Sequence, residues 1–240
     1  MRVLIACEES QAVCKAFRER GHEAYSCDLQ ECSGGYPEWH INGDVLPLIN
    51  GNCVLNTEDG NTHYIKGKWD LIIAHPPCTY MSNAGACRMY PKKGQLDKER
   101  FNKAMEAKAF FMEFYNADCE RVCIENPLPL KCVELPPETQ TIQPYLFGDP
   151  YSKKTLLWLK GLPMLKPTDI CDSWKPYLPS GTSRNAGTEY NKGTAHGSRK
   201  RSKTFMGIAN AMADQWGSLK EEIQRGFIEE AEQISIFDVV

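Results

Sequence analysis

The segment Trp69-Asp70-Leu71-Ile72-Ile73-Ala74, with the double proline just behind it, constrains this chain more than any other stretch. A short apolar run without polar alternation is the pattern of a strand buried on both faces of a parallel sheet. Pro76 and Pro77 then fix φ and remove two backbone donors, so the run stops there. Cys78 is left on a stiff turn just beyond a strand's carboxyl end. In open α/β sheets, ligands bind at that edge. The residues from Thr79 to about Gly94 are small, polar and punctuated by glycine, which predicts a loop able to close over a ligand. A buried structural thiol is the ordinary fate of a cysteine. The double proline and the strand-end position set Cys78 apart.

The flanking chain repeats the same grammar. Arg2 to Cys7 reads as a first strand, and Ser10 as the cap of a helix carrying Ala12, Val13, Ala16 and Phe17 at helical spacing. Gly21 ends that helix, Glu23 to Cys27 forms a second strand, and Asp28 stands at its tip. A β-α-β opening with an acid after the second strand is the doubly wound α/β pattern, with a mostly parallel sheet. Asp44 marks another strand end or turn, and residues 50–68 suggest a hairpin insertion. Asp97 to Asn116 is expected to be a helix with Phe101, Met105, Ala109 and Met112 on its packed face. Arg121 to Ile124 is a further strand, ending in Glu125-Asn126-Pro127. Thr155 to Leu159 is another strand, and Thr204 to Trp216 a helix, with a second from Leu219 to Ala231.

Composition narrows the function. With 240 residues, 42% of them apolar, the chain supports one sizeable core. Eleven cysteines, an odd number without paired metal spacing, argue for reduced thiols and against a disulfide scaffold or a metal centre. No signal peptide or long apolar run is visible, so a cytoplasmic location is expected. The net charge of −3 argues against a generally basic nucleic-acid binder. Between Cys171 and Lys203, however, seven basic residues face two acidic ones, leaving −8 for the remainder. A basic insert on an acidic body predicts contact with a polyanion on one face.

Parallel strands bring their carboxyl ends to one crevice, so Cys78 and Glu125 are expected to face one another there, with Asp28 and Asp44 nearby. A thiol needs a positive field to act as a nucleophile, and Glu125 opposes ionisation. Lys153, Lys154 or a bound cation is then required as the counter-charge.

Pro76-Pro77-Cys78 followed by a Ser/Gly loop, and Glu125-Asn126 at a later strand end, resemble the fourth and sixth motifs of the DNA (cytosine-5)-methyltransferases. Val3 to Glu9, Asp28 and Asp44 resemble the first three motifs in order. Phe147-Gly148-Asp149-Pro150 resembles the approach to the eighth, and Thr204 to Ala213 the tenth. The pattern spans essentially the whole chain and is most similar to the compact, phage-type members. The resemblance implies an S-adenosylmethionine-dependent methyltransferase fold, with residues 1–160 and 204–232 catalytic, 161–203 a reduced DNA-recognition insert and 233–240 a tail. It implies Cys78, Glu125 and Lys153 as the catalytic set, with Cys78 attacking carbon 6 of a cytosine flipped out of double-stranded DNA. It implies cofactor contacts from Cys7, Glu8, Glu9, Ser10, Asp28, Asp44, His75 and Pro77. DNA contacts would come from Ser82, Lys154, Arg184, Arg199, Lys200 and Arg201, and no metal is implied. RNA or nucleotide cytosine as substrate, or a degenerate fold that only binds DNA, stand as alternatives.

The departures are specific. The first loop, Ala6-Cys7-Glu8-Glu9-Ser10-Gln11, has no glycine where the family is glycine-rich. A cofactor carrying a sulfonium and an ammonium, and no phosphate, tolerates acids there; two glutamates stabilising a helix N-terminus is the other reading. In the eighth motif Lys153 takes the place of the first arginine, with a one-residue slip promoting Lys154, and lysine lacks arginine's fork. The insert is short, which suits phosphate contacts and a short target. In the tail, Gln233-Ile234-Ser235-Ile236-Phe237 resembles the peptide by which bacterial polymerases hold the sliding clamp, and docking of Ile236, Phe237, Val239 and Val240 on the chain's own sheet is the alternative.

Overall fold

The computed structural model describes residues 1–177 and 202–219. Its strands and helices are β1 (Arg2–Ala6), α1 (Ala12–Arg18), β2 (Glu23–Asp28), β3 (His40–Asn42), β4 (Cys53–Asn56), β5 (Thr62–Ile65), β6 (Leu71–Ala74), α2 (Ala86–Met89), α3 (Lys98–Tyr115), β7 (Val122–Asn126), β8 (Gln140–Ile142), β9 (Tyr151–Ser152), β10 (Thr155–Lys160), β11 (Lys175–Pro176) and α4 (Met206–Gly217). Seven strands form one sheet in the order β3-β2-β1-β6-β7-β10-β8. All neighbouring pairs are parallel except those of β10, which runs against both β7 and β8. The fold is therefore α/β with a doubly wound, mostly parallel sheet, as the strand pattern predicted. The chain moves outward from β1 to β3 and returns to β6 on β1's other side. The crevice between the β1 and β6 ends is thus the topological switch point of the sheet.

Alternation along the strands sorts the core into two layers. Val3, Ile5, Leu71, Ile73, Cys123 and Leu157 face α1 and α4, where Phe17, Met212 and Trp216 are buried. Leu4, Ala6, Ile72, Ala74, Val122, Ile124 and Trp158 face the other way, onto Phe111 and Phe114 of α3. Asp97 caps α3 by accepting from the Arg100 backbone N–H. The packed stripe of α3 runs through Ala104, Phe111 and Phe114, with Phe101, Met105 and Met112 at its edge, whereas Ala109 is exposed. The expected face is thus displaced toward Phe111 and Phe114, with Phe101, Met105 and Met112 still packed at its margin. The anticipated insertion is the antiparallel hairpin β4–β5, whose Leu55 and Ile65 join the α3-side core. Strand β8 had no clear signal in Gln140-Thr141-Ile142. The helix expected from Leu219 to Ala231 and the tail lie outside the described residues, as do Arg184, Arg199, Lys200 and Arg201.

Candidate active site

Every candidate group descends from the sheet's carboxyl edge. Cys78 follows β6, and its carbonyl accepts from Met81 and Ser82 N–H, which closes the turn. The neighbouring strand holds this turn: Asn126 Nδ2 donates to the Pro76 carbonyl at 2.9 Å in a buried bond. Asn126 was read only as half of a motif, and its structural work could not be seen in sequence. Arg100 of α3 donates to the Thr79 carbonyl at 2.8 Å and lies 5.0 Å from the Tyr80 ring. No local signal marked Arg100.

The stretch from Thr79 to Gly94 is folded, which corrects the expectation of an open loop. Asn83–Gly85 and α2 are short helices, and Met81 and Met89 are fully buried. Leu130 N–H donates to Met81 O, Asn83 N–H to Leu128 O and Asp97 N–H to Met89 O. Two buried methionines outweigh the polar composition that suggested a loop. Ser82, expected at the DNA, is 8% exposed, and its Oγ accepts from Ala84 N–H.

Glu125 sits in β7 with its carboxylate directed at His75. His75 Nδ1 donates to Glu125 Oε2 at 3.3 Å. Burial pushes the Glu125 carboxyl up, but the His75 hydrogen bond and the positive charge of Lys153 outweigh it and hold its pKa below the usual carboxylate value. Lys153 comes from the turn before β10, with its ammonium 6.0 Å from the Tyr177 ring and 5.8 Å from Phe205. Lys154 is exposed. The lysine whose charge acts on Glu125 is therefore Lys153.

In the first loop Glu8 takes the second of its two readings, at the helix N-terminus, but buried, and the expected Ser10 cap is displaced. Gln11, and not Ser10, is the N-cap residue of α1, and it has left-handed φ of 57°. Cys7 also lies at positive φ, 60°. These two backbone positions replace the missing glycines conformationally. The helix's orphan donors are met by Glu8, which is 4% exposed: Oε1 accepts from Val13 N–H at 2.7 Å and Oε2 from Cys14 N–H at 3.1 Å. Glu8 is thus turned inward onto the helix rather than out into the crevice, and burial raises its pKa. Glu9 is 5% exposed. Gln11 exchanges two hydrogen bonds with the backbone of Tyr36, so the first loop is tied to the segment after β2.

Asp28 and Asp44 meet at the same rim. Burial and then the charges of Asp28 and Asp44 push the Cys27 thiol up to about 12, and Cys7 is raised further by burial, Asp28, Cys27 and Asp44. Asp28 Oδ1 accepts from Gln30 N–H and Asp44 Oδ1 from Leu46 N–H. Pro77 is exposed beside Cys78. The structure so divides the expected site in two. His75 and Lys153 act on Glu125 over β6 and β7, with Cys78 on the turn after β6, while Asp28 and Asp44 act on Cys7 and Cys27 over β1 to β3. Among the described residues no cluster of His, Cys, Asp and Glu is arranged to hold a metal ion.

No family model and no curated protein matches this chain. Solved structures do. One, described as a DNA modification methyltransferase encoded within an E. coli prophage, aligns over 75% of this chain and 56% of its own, at 14% identity and a TM-score of 0.43. Another, a mutant DNMT2 of Spodoptera frugiperda, aligns over 75% of this chain and 55% of its own, at 15% identity and a TM-score of 0.32. The chain therefore spans little more than half the length of these structures.

Proposed function

We propose that this chain is an S-adenosylmethionine-dependent DNA (cytosine-5)-methyltransferase of the compact, phage type. The observation that carries the reading is the Glu125 carboxylate held by His75 and Lys153, with Cys78 on the proline-stiffened turn that follows His75 after the neighbouring strand β6. Two groups with these roles suit a cytosine ring. Cys78 as thiolate adds to carbon 6, and the displaced electron pair moves into the ring toward carbon 5. Glu125 has one oxygen held by His75, leaving the other to accept from the exocyclic amine and orient the ring nitrogen. Once carbon 5 is substituted, its proton passes to water, the released pair re-forms the carbon 5–carbon 6 double bond, and the Cys78–carbon 6 bond breaks with its pair returning to sulfur as thiolate.

The acid-lined rim fits the cofactor: burial chiefly raises Cys7 and Cys27, the charges of Asp28 and Asp44 add to it, and S-adenosylmethionine carries two positive centres. Asp28, Asp44 and Glu9, with the backbone of Cys7 and Ser10, would hold it. When bound, it supplies the electrophilic methyl group. Residues 1–160 and 204–232 form the catalytic unit in this reading. Residues 161–203, with Arg184, Arg199, Lys200 and Arg201, meet the DNA backbone. The double-stranded substrate presents its cytosine flipped out.

The test is covalent trapping. Duplex DNA carrying 5-fluorocytosine in varied contexts, with cofactor, is expected to give a complex stable to denaturant through Cys78, and C78S none. Matched RNA and free nucleotide run in parallel. Trapping on RNA alone would transfer the reading to the RNA alternative, and no trapping on any substrate would leave only a binding protein.

A further inference from the structure

His75 stands at the centre of the strand ends. It comes directly after β6, the strand between β1 and β7, and its backbone N–H donates to the Ala6 carbonyl, which extends the pairing by one residue. An acid rises on each side, Glu8 after β1 and Glu125 in β7. Glu8 cannot turn to the imidazole, because both its oxygens are taken by the first N–H groups of α1. It acts on His75 through its field only. Among the described residues, the side chain that Nδ1 meets is Glu125, and the imidazole is 9% exposed. Its Nε2 is buried with no hydrogen-bond partner among the described residues. A ring so enclosed, with one nitrogen unsatisfied, is retained for what its other nitrogen does.

We propose that His75 is a positioning residue that fixes the orientation and charge of the Glu125 carboxylate from the rigid side of the site, a task the sequence pattern alone would leave to Lys153. This rests on the reading of Cys78 and Glu125 as the reacting pair. The two holders differ in origin. His75 is part of the sheet, adjacent to the double proline. Lys153 lies on a surface turn among the rings of Tyr177 and Phe205, and a lysine, as a flexible point charge, cannot set a carboxylate's plane. An imidazole N–H can. The same geometry makes His75 a poor cofactor contact, because Nδ1 is committed to Glu125. The groups acting on Glu125 and His75 are Glu8 after β1, Lys153 before β10 and the Cys123 thiol of β7, with His40 farther off beside Glu8.

The test combines direct titration with turnover. Carboxyl-labelled glutamate, with Glu125 assigned by its loss in E125Q, reads the titration of that one group by NMR. H75A should move the Glu125 midpoint upward by about one pH unit. Asparagine places a side-chain N–H close to that of Nδ1, and glutamine close to that of Nε2. H75N should therefore keep most of the wild-type midpoint, and H75Q should not. In methyl transfer, H75A should lower kcat by up to about a hundredfold, the scale of a misplaced catalytic group, with the KM for DNA little changed and H75N partly restored. An unchanged Glu125 midpoint in H75A, or equal behaviour of H75N and H75Q, overturns the proposal. Failure of the wild type to trap 5-fluorocytosine substrates overturns the methyltransferase reading instead, and the NMR titration tells the two failures apart.

Discussion

Cys78 reaches the rim because of its neighbours: Pro76 and Pro77 stiffen the turn, and Asn126 holds it from the next strand. C78S is therefore expected to abolish trapping and methyl transfer while leaving the thermal midpoint within a few degrees of wild type. Measured turnover in C78S, or its loss in C87S, would move the nucleophile elsewhere. E125Q is expected to lower the rate at least about a hundredfold. The same residue predicts a pH effect on stability. Its folded pKa lies below the unfolded value of about 4.3, so its contribution is present above that value and lost as pH falls through the folded one. Urea midpoints of wild type and E125Q should therefore converge as the pH is lowered from about 5 toward 3. A constant difference would show that Glu125 is not stabilised by His75 and Lys153. Cys78 and Glu125 were legible because each stands at a strand's end and carries a proline close by. Glu8 was not. Ser10 is the better cap by residue type, but left-handed backbone at Cys7 and Gln11 turns Glu8 under the helix, and neither residue type announces that conformation.

At the scale of elements, α4 shows how tightly the late helix meets the segment between β8 and β9. Asp149 Oδ2 accepts from Gly207 N–H at 2.9 Å. A Cβ on Gly207 would stand 1.7 Å from the Phe147 carbonyl oxygen, and backbone atoms cannot yield as side chains do. G207A should therefore cost about 1–3 kcal/mol of unfolding free energy, read from urea denaturation. A change below about 0.5 kcal/mol, the ordinary surface effect, would mean that α4 tilts freely. The strands β1, β2, β6, β7 and β10 and the helix α4 were legible from their apolar residues, and α3 also from its cap Asp97. Strand β8 was hidden by its three-residue length. The face of α3 was misread because apolar residues surround much of that helix, so periodicity alone does not choose a side.

For the whole molecule, the uneven charge predicts a one-sided encounter with DNA. Replacing Arg199, Lys200 and Arg201 by glutamine should weaken binding to all sequences alike. Each lost phosphate contact should lower the log–log salt slope by about one. An unchanged slope would remove this run from the interface. The tail makes a separate prediction. A peptide of residues 230–240 should bind a bacterial sliding clamp weakly and lose binding when Ile236 and Phe237 become alanine, with tethering raising the local enzyme concentration. Equal binding of both peptides refutes the motif. Neither segment carries an apolar periodicity tying it to the sheet, so their charge and motif are legible in the residues but their position is not. The Tyr177 and Phe205 rings lie 5.2 Å apart, at the two sides of residues 178–201. The residues that bracket this stretch are therefore held together, next to the lysine that acts on Glu125. Lengthening a loop whose ends are already joined is thermodynamically mild, about 0.6 kcal/mol for each doubling. Under the proposed reading, the sequence and length of residues 178–201 can change, and DNA preference with them, while the contact that brackets them and the sheet behind it stay as they are.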